Sequence, residues 1–456
     1  MLDETNVSRD WVRHHMAWVI AVASALLAIG ARWYFVTHAQ VYQPLDRAGY
    51  WGDAQEYYWY AWNLVHHGVF SQDFGGALHP VIADSYRDPG YPVFLALFMA
   101  LTGSFEEWYA SVLLSHVVLG GITVACIILA LRRTLPWWML TLVGAGLALW
   151  PHSVSITAYV FTENLSAPLW AAAVLAIREA SVRNSLPWTI AAALALAAAG
   201  LTNSVLAPLV LPLAAMLGWK RLLPTRLVAI LVILVVITMG AWAIRNASVT
   251  TGPSSAHRIA MNLVQGSWPT YHMAAQLDAR HVEAGTATMR AIGNEITAFD
   301  ASPAAGWQMM WQRISRSPGT HLAWYLSKPA LLWGWQVGLG AGDIYVAPTR
   351  NSPYVTQPFW RGMEAVAFSL NYVIALLALG GVGVALWQRG CDPSLLVLAV
   401  TVTWVTLVYG ALQSDSRYSI PFRGAELALA AGFVVNAIRY RRQRHAALHA
   451  RPENEV

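Results

Sequence analysis

The stretch HMAWVIAVASALLAIGARWYFV, residues 15–36, decides the class of fold, because Arg32 is its only arginine or lysine and it contains no carboxylate. A helix rises 1.5 Å per residue and the apolar core of a bilayer is about 30 Å thick, so a segment of about twenty such residues can cross it. No small-residue cleavage site follows before the next polar stretch. The segment is therefore predicted to be a retained membrane anchor, not a cleaved signal peptide.

The composition extends this prediction to the whole chain. Apolar residues make up 57% of the 456 residues, charged residues 12%, and the mean hydropathy is +0.44. Soluble domains carry about a quarter charged residues. We therefore predict an all-α polytopic membrane protein. The net charge of +5 comes from short loops and the C-terminal tail, as is typical of membrane topology, and does not indicate a nucleic-acid partner. Two distant cysteines, Cys126 and Cys391, indicate no disulfide framework.

Arginines and lysines between the apolar segments predict the topology. Apolar segments recur at residues 16–36, 109–131, 136–151, 156–177, 187–201, 204–219, 227–244, 363–387, 394–412 and 421–438. With ten crossings and both termini in the cytoplasm, the basic clusters before the first segment and after every even-numbered one share the cytoplasmic side. The chain is then one integral membrane domain, 1–456, with no separate soluble domain. Its large outer loops are 37–108 and 245–362, and its cytoplasmic basic tail is 439–456.

Three further segments are ambiguous. Residues 90–103 are apolar but too short to cross, so they are predicted to lie along the outer surface or to re-enter it. The preceding GDAQEYYWYAWNL, residues 52–64, is predicted to be a second surface helix, because Trp and Tyr suit the headgroup region. Residues 320–339 are compatible with either a crossing or a surface helix.

A carboxylate pair opens the first outer loop. Asp53 and Glu56 match a capping box, in which Asp53 is the N-cap and Glu56 the third helical residue. The same carboxylates, held near aromatics at a membrane surface, are also candidates for a general base. The two interpretations are compatible, because capping would hold the carboxylate in place.

Arginines on the predicted outer side are candidates for binding an anion, because topology does not favour positive charge there. Arg87 lies in SYRDPGYP, where prolines stiffen the backbone, and its alternative reading is a turn with a surface ion pair. Arg245 precedes Asn246 at the end of the seventh segment, where an arginine can also simply extend to the interface. Asn262 follows after a turn.

The last predicted outer arginine is Arg417, which precedes Tyr418 in SDSRY before the tenth segment. Glu163, in YVFTENL, lies within or at the outer end of the fourth segment. It is a candidate either to pack against an arginine or to orient one of the site arginines.

These motifs, taken in order, resemble the GT-C glycosyltransferases. They are GDAQEYY at the start of the first outer loop, RDPGYP at its end, TEN in an early segment, IRN followed by NL and G, and SRY before the last segment. Within that class the chain resembles the group of dolichyl-phosphate-mannose protein mannosyltransferases and aminoarabinose lipid A transferases. The resemblance covers most of the chain up to Tyr418.

The resemblance implies an inverting glycosyltransferase that uses a polyprenyl-phosphate sugar on the outer side of a bacterial inner membrane. Asp53 would be the catalytic base, supported by Glu56 and Glu163. The donor phosphate would be bound by Arg87, Arg245 and Arg417, and the substrate pocket would include Tyr91, Asn246, Asn262 and Tyr418. The family often places its second carboxylate nearer the first than Glu56 lies to Asp53.

The expected partners are the bilayer, the lipid-linked donor, and a glycan or lipid acceptor more than a protein. No cofactor is expected, and no cluster with metal-ligand spacing indicates a divalent ion. The alternative from another class is a transporter or flippase for a lipid-linked sugar, which would place ionisable groups deep within the segments. A structural scaffold would leave the outer arginines unexplained.

Overall fold

The computed structural model describes residues 4–47, 52–74, 80–249, 251–335 and 349–449, and these residues are overwhelmingly helical. The predicted surface residues Tyr50 and Trp51, and residues 336–339 of the ambiguous segment 320–339, lie outside the described part.

The first nine helices are α1 (Glu4–His38), α2 (Asp53–His67), α3 (Gly90–Met99), α4 (Phe105–Leu131), α5 (Trp137–Leu149), α6 (Pro151–Ser155), α7 (Glu163–Arg183), α8 (Leu186–Thr202) and α9 (Val210–Trp219). The remaining helices are α10 (Thr225–Ala247), α11 (Ser255–Ser267), α12 (Tyr271–Ala279), α13 (Glu283–Ala301), α14 (Pro303–Arg316), α15 (Pro318–Leu332), α16 (Pro353–Thr356), α17 (Pro358–Trp387), α18 (Pro393–Ala411) and α19 (Arg423–His449). Short 3-10 helices cover Ile156–Ala158, Ser204–Leu206 and Ser416–Phe422. Strands β1 (Gln40–Val41) and β2 (Thr349–Arg350) pair antiparallel.

Six of these helices are long and apolar enough to cross a bilayer. They contain the segments His15–His38, Phe105–Leu131, Glu163–Arg183, Thr225–Ala247, Pro358–Trp387 and Pro393–Ala411. A seventh crossing arises if Trp137–Leu149 and Pro151–Ala158, which meet at a bend of 49°, form one broken span. The predicted all-α membrane architecture is confirmed, whereas the total of ten crossings stays a prediction.

The predicted apolar segment 156–177 is not one continuous helix, and the helix that can cross the bilayer begins later, at Glu163. After the 3-10 turn the chain runs extended, and α7 begins only at Glu163. The side-chain amide of Asn164 donates to the carbonyls of Ile156 and Tyr159, and the amide of Val160 donates to Gln43. These side chains satisfy backbone groups that a helix would have paired internally. The break places Glu163 at the mouth of a span and not inside it.

The segments 52–64 and 90–103, predicted to lie at the outer surface, are helical for most of their length. Helix α3 has ten residues, about 15 Å, and cannot cross the bilayer. It packs against α4, where the indole of Trp108 donates to the carbonyl of Leu95 at 3.2 Å. In the segment 320–339, α15 has fifteen residues, about 22 Å, and is also shorter than a crossing.

Two apolar cores lie along the helices. The larger core joins α1, α4, α5, α7, α8, α18 and α19 and includes Trp170 and Phe422. Close approach needs small residues here, since packing contacts drive association inside a bilayer. A Cβ on Gly381 of α17 would lie 2.3 Å from the Leu429 carbonyl oxygen of α19. The smaller, aromatic core lies under α2 and α3 and includes Tyr58.

Candidate active site

A cavity of about 450 Å³ collects the polar side chains between the start of α2, the turn after Ser85, the start of α7, helix α11 and the end of α18. Its charged lining residues are Asp53, Glu56, Arg87, Asp88, Glu163, Arg258 and Arg417. Its uncharged polar lining residues include Tyr57, Tyr86, Thr162, Asn203, Ser204, Asn262, Gln265, Tyr271, Tyr409, Gln413 and Tyr418. Four carboxylates and three guanidinium groups therefore share one volume.

Asp53 is the first residue of α2 and lies one-third exposed at the cavity wall. The preceding Gly52 has φ 153° and ψ 171°, a conformation almost confined to glycine, which turns the chain sharply into the helix. The predicted capping box is wrong: Gly52 is the N-cap, no side chain caps the helix, and the amide of Glu56 donates to the Gly52 carbonyl. Both carboxylates are drawn away from the helix amides by charged partners.

Arg87 binds both carboxylates of α2. Its Nη2 lies 2.6 Å from Asp53 Oδ1 and its Nε lies 2.5 Å from Glu56 Oε2. Its backbone amide donates to the hydroxyl of Tyr60, which helps to fix the turn. The guanidinium also stands over the ring of Tyr57, with 5.1 Å to the centroid. The Arg–Asp–Pro–Gly corner is therefore joined to the start of α2.

Arg417 approaches Asp53 from the opposite side. Its Nη2 lies 2.8 Å from Asp53 Oδ2, and its Nε lies 3.0 Å from Glu163 Oε1. The carboxylate of Asp415 accepts from the Arg417 backbone amide at 2.8 Å, and the guanidinium covers the ring of Phe161 at 4.5 Å. Asp53 thus bridges two arginines that are 330 residues apart in the chain.

The two carboxylates of α2 differ in their electrostatic surroundings. Burial acts to raise the pKa of Asp53, but the charges of Arg87 and Arg417 outweigh it and hold this pKa below its usual range. At Glu56 burial is again the largest influence, and together with the charge of Asp53 it raises the pKa in spite of Arg87. Asp53 therefore gives up its proton more readily than an ordinary aspartate, whereas Glu56 holds its proton more readily than an ordinary glutamate.

A second ion pair in the cavity was not predicted from the sequence. Arg258 Nη2 lies 3.1 Å from Asp88 Oδ1 and 3.0 Å from Oδ2. The ring of Tyr86 stands between the two arginines, 5.2 Å from the Arg87 guanidinium carbon and 6.0 Å from that of Arg258. From the sequence, Asp88 is a candidate only for a turn and a surface ion pair with Arg87. The usable signal was the spacing of four residues between Arg258 and the predicted Asn262, which puts both on one face of a helix.

Three of the predicted residues do not line this cavity. Arg245 donates from Nη1 to the Asp84 carbonyl at 2.5 Å and to the side-chain oxygen of its neighbour Asn246 at 3.2 Å. Tyr91 is fully buried and its hydroxyl contacts His116 Nε2 at 3.0 Å. The structure therefore does not bring Arg245, Asn246 and Tyr91 to this cavity, and their part in the site stays a prediction, because sequence order indicates where they lie along the chain but not which way they face.

The other predicted site residues all lie at the wall of this cavity. Asp53, Glu56, Glu163, Arg87, Arg417, Asn262 and Tyr418 all line the cavity. Tyr418 stacks on Tyr409 at 4.7 Å between ring centroids. Within the described ranges, no group of three or more His, Cys, Asp or Glu side chains is arranged to hold a metal ion.

Structures of known proteins resemble this fold. The archaeal oligosaccharyltransferase AglB from Archaeoglobus fulgidus, solved with an inhibitory peptide and a dolichol-phosphate, is similar over 98% of this chain and 53% of its own, with 11% identity and a TM-score of 0.47. The oligosaccharyltransferase of the same organism in complex with Zn and sulfate is similar over 94% and 50%, with 12% identity and a TM-score of 0.48. ArnT from Cupriavidus metallidurans in the apo state is similar over 94% and 78%, with 17% identity and a TM-score of 0.35.

The chain spans about half the length of the oligosaccharyltransferases. No protein-family model matches the sequence, and no curated protein matches it. Similarity at this level assigns no residue roles, so the roles below rest on the contacts within this chain.

Proposed function

We propose that this protein is an inverting glycosyltransferase that moves a sugar from a polyprenyl-phosphate donor to an acceptor hydroxyl at the extracytoplasmic surface. The observation that carries the proposal is the bridge of Asp53 between Arg87 and Arg417 at the wall of a cavity beside the spans. A phosphate can replace a carboxylate as the partner of a guanidinium, because both offer two oxygens to its planar fork.

The reaction needs one carboxylate and the arginines in complementary roles. Asp53 takes the proton of the acceptor hydroxyl as that oxygen forms a bond to the anomeric carbon of the sugar. The bond from the anomeric carbon to the phosphate oxygen breaks on the opposite face, which inverts the configuration. The polyprenyl phosphate leaves with the bonding electrons, and the arginines stabilise the charge that grows on it.

Donor binding would also prepare the base. In the free protein both oxygens of Asp53 are paired with guanidinium groups, which makes the carboxylate a weak base. A donor phosphate that draws these arginines toward itself weakens the pairing and raises the proton affinity of Asp53. The base then becomes competent when the leaving group is in place.

The surroundings of the cavity suit a lipid-linked substrate. Its wall includes the start of α7 and the end of α18, two helices that can cross a bilayer. The lipid tail would lie in a groove between spans while the sugar phosphate reaches the arginines. We propose that the acceptor is a glycolipid or polysaccharide. We also propose that the protein lies in a bacterial inner membrane, with loops 37–108 and 245–362 on the outer side.

A transfer assay with purified protein tests the function. Membranes or nanodiscs containing the protein are incubated with radiolabelled polyprenyl-phosphate sugars and an extract of envelope glycolipids. The expected result is transfer of label from donor to acceptor and release of polyprenyl phosphate without nucleotide. Movement of intact donor across a vesicle bilayer, with no bond broken, would contradict the proposal and favour a flippase.

The predicted orientation is tested separately by labelling single cysteines in intact cells after replacement of Cys126 and Cys391. Both test positions are exposed: Ile82 lies in the first outer loop, and Thr225 follows a predicted cytoplasmic basic cluster. An impermeant thiol reagent should modify Ile82→Cys and spare Thr225→Cys. The reverse pattern would place the cavity on the cytoplasmic side.

A further inference from the structure

Helix α11 presents a row of polar side chains to the cavity. Arg258, Asn262 and Gln265 all line it, and their spacings of four and three residues place them on one helical face. We call these three residues the α11 ladder. Seven residues of helix rise about 10 Å, so the ladder is about as long as two linked sugar rings.

The ladder is held rigidly at both ends. At one end Arg258 is paired with Asp88, which also accepts from the amide of Ser204. At the other end a Cβ on Gly266 would lie 2.3 Å from the carbonyl of Leu412, so the backbones of α11 and the end of α18 are in direct contact. The loop after Leu412 leads to Arg417, which fixes the ladder relative to the proposed phosphate site.

Two amides of the ladder have unused hydrogen-bonding capacity. Asn262 donates from Nδ2 to the Arg258 carbonyl, which leaves its side-chain oxygen available as an acceptor. The side-chain amide of Gln265 has no hydrogen-bond partner among the described residues. Each amide offers donors and acceptors, as sugar hydroxyl groups do.

The electrostatics of this part of the cavity favour an uncharged ligand. The formal charges of Arg258 and Asp88 cancel in their pair, and Tyr271 and Gln413, which line the same cavity, are uncharged. A carboxylate placed against Asn262 and Gln265 would find the charge of Arg258 already paired with Asp88, and an unpaired charge removed from water is costly. A hydroxyl-rich neutral molecule meets no such penalty.

We infer that the α11 ladder binds the hydroxyl groups of an uncharged saccharide, the acceptor of the transfer reaction. The inference rests on the proposed function, because the ladder shares its cavity with Asp53 and the two phosphate-binding arginines. It assigns specificity to residues that have no part in bond making: Asn262 and Gln265 orient the acceptor so that one hydroxyl reaches Asp53.

Binding of small probes to the full-length protein in nanodiscs tests the inference without relying on turnover. The neutral probes are the methyl glycosides of glucose, mannose and galactose, and the contrasting probes are methyl glucuronide and an uncharged Ser/Thr peptide. Saturation-transfer NMR gives the affinity of each for wild type, for the double variant Asn262→Ala with Gln265→Ala, and for Gln312→Ala. Gln312 is an exposed amide on α14 and serves as the matched control.

At least one neutral glycoside should bind wild type and Gln312→Ala equally. It should bind the double variant roughly 10-fold more weakly, because alanine cannot replace the hydrogen bonds that the two amides would make to the hydroxyl groups. Equal affinity for the double variant, no neutral glycoside bound by wild type, or tighter binding of the glucuronide or the peptide would each overturn the inference.

Polyprenyl phosphate binding is measured in the same samples and separates the two proposals. The double variant should bind it as wild type does, because neither amide is hydrogen-bonded to Arg87 or Arg417, the proposed phosphate-binding arginines. Saccharide binding lost with polyprenyl phosphate binding intact supports the ladder. Failure of wild type to bind polyprenyl phosphate refutes the proposed donor. The saccharide measurements then decide separately whether the ladder binds a neutral sugar.

Discussion

The two ends of α7 carry similar ion pairs with different surroundings. At its first residue, Glu163 contacts Arg417, which also binds Asp53. Sixteen residues later, about 24 Å along the helix, Glu179 contacts Arg132, Arg178 and Arg183. Both ends gather guanidinium groups around carboxylates, so residue type alone does not distinguish them.

The two ends of α7 differ in whether their carboxylate and guanidinium groups are accessible from a cavity. Asp53 and Glu56 are 33% and 30% exposed to the cavity, and another anion can compete for their arginines. Glu179 is 3% exposed, is enclosed between α4 and α7, and lines none of the cavities found in the described residues. The first end is therefore suited to exchange its partners during a reaction, and the second to hold helices together.

The largest expected effect on activity is at Asp53. Asp53→Asn keeps the size of the side chain and removes its basicity. A positioned general base contributes about 10²–10⁴-fold, so the transfer rate should fall by that factor while the yield of folded protein stays unchanged. Glu106→Gln, an exposed carboxylate at the start of α4, is the control. Near-normal transfer by Asp53→Asn would exclude the proposed base.

The corresponding change at the other end of α7 should affect stability instead. Glu179→Gln leaves buried arginines without a counter-charge, and breaking such a pair costs about 3–5 kcal/mol. Thermal unfolding in detergent should show a large drop in Tm, while the folded fraction transfers sugar at the normal rate. A stable Glu179→Gln protein with impaired transfer would remove the distinction between the two ends. The exposed Glu283→Gln is the control.

Arginine-to-lysine variants should have an intermediate effect on donor binding. Lysine keeps the charge of Arg87 or Arg417 but loses the planar fork, so affinity for polyprenyl phosphate should fall roughly 10-fold, less than in the alanine variants. Arg245→Lys, whose guanidinium binds backbone carbonyls away from the cavity, should bind the donor normally. Equal losses at all three positions would show that donor binding depends on overall charge and not on this site.

The smallest expected effect is a pair of opposite pH dependences. The lowered pKa of Asp53 means that its contribution to stability is present above about pH 4 and is lost as the pH falls. The raised pKa of Glu56 means that its contribution is present below about pH 4.3 and is lost as the pH rises through the raised value. From pH 3 to 7, Asp53→Asn should therefore lose Tm relative to wild type, and Glu56→Gln should gain it. Changes of the same sign would contradict the assigned electrostatics.

Much of the architecture could be predicted because lipid solvation acts on each segment separately. Apolar length alone indicated α1, α4, α10, α17 and α18, since a crossing helix must satisfy its own backbone and present apolar side chains. The break before α7 could not be predicted in this way. It depends on Asn164 and Gln43 satisfying backbone groups of residues 156–160, and Gln43 lies more than a hundred residues away in the chain.

The capping box failed for a related reason. Asp53 and Glu56 have the correct local spacing, but charge-assisted contacts with Arg87 and Arg417 are stronger than a bond to a helix amide. A sequence rule such as the capping box considers only hydrogen-bond partners within the same helical turn. The same limit explains why the pair of Arg258 and Asp88 was not predicted: Asp88 lies in the RDPGYP motif, but Arg258 belongs to no recognisable motif, and their pairing joins two segments about 170 residues apart.

By itself the sequence determined that this chain is a helical membrane protein, which segments are apolar, and that Asp53, Arg87 and Arg417 are candidates for one site. The first two properties follow from composition and spacing, which act within a segment, and the third is what the resemblance of the motifs implies. Only the tertiary structure decided that Arg87 and Arg417 share Asp53 while Arg245 turns away, and that α11 faces the same cavity. Those outcomes depend on how distant helices pack, because a side chain's partner is set by the direction in which the assembled backbone points it.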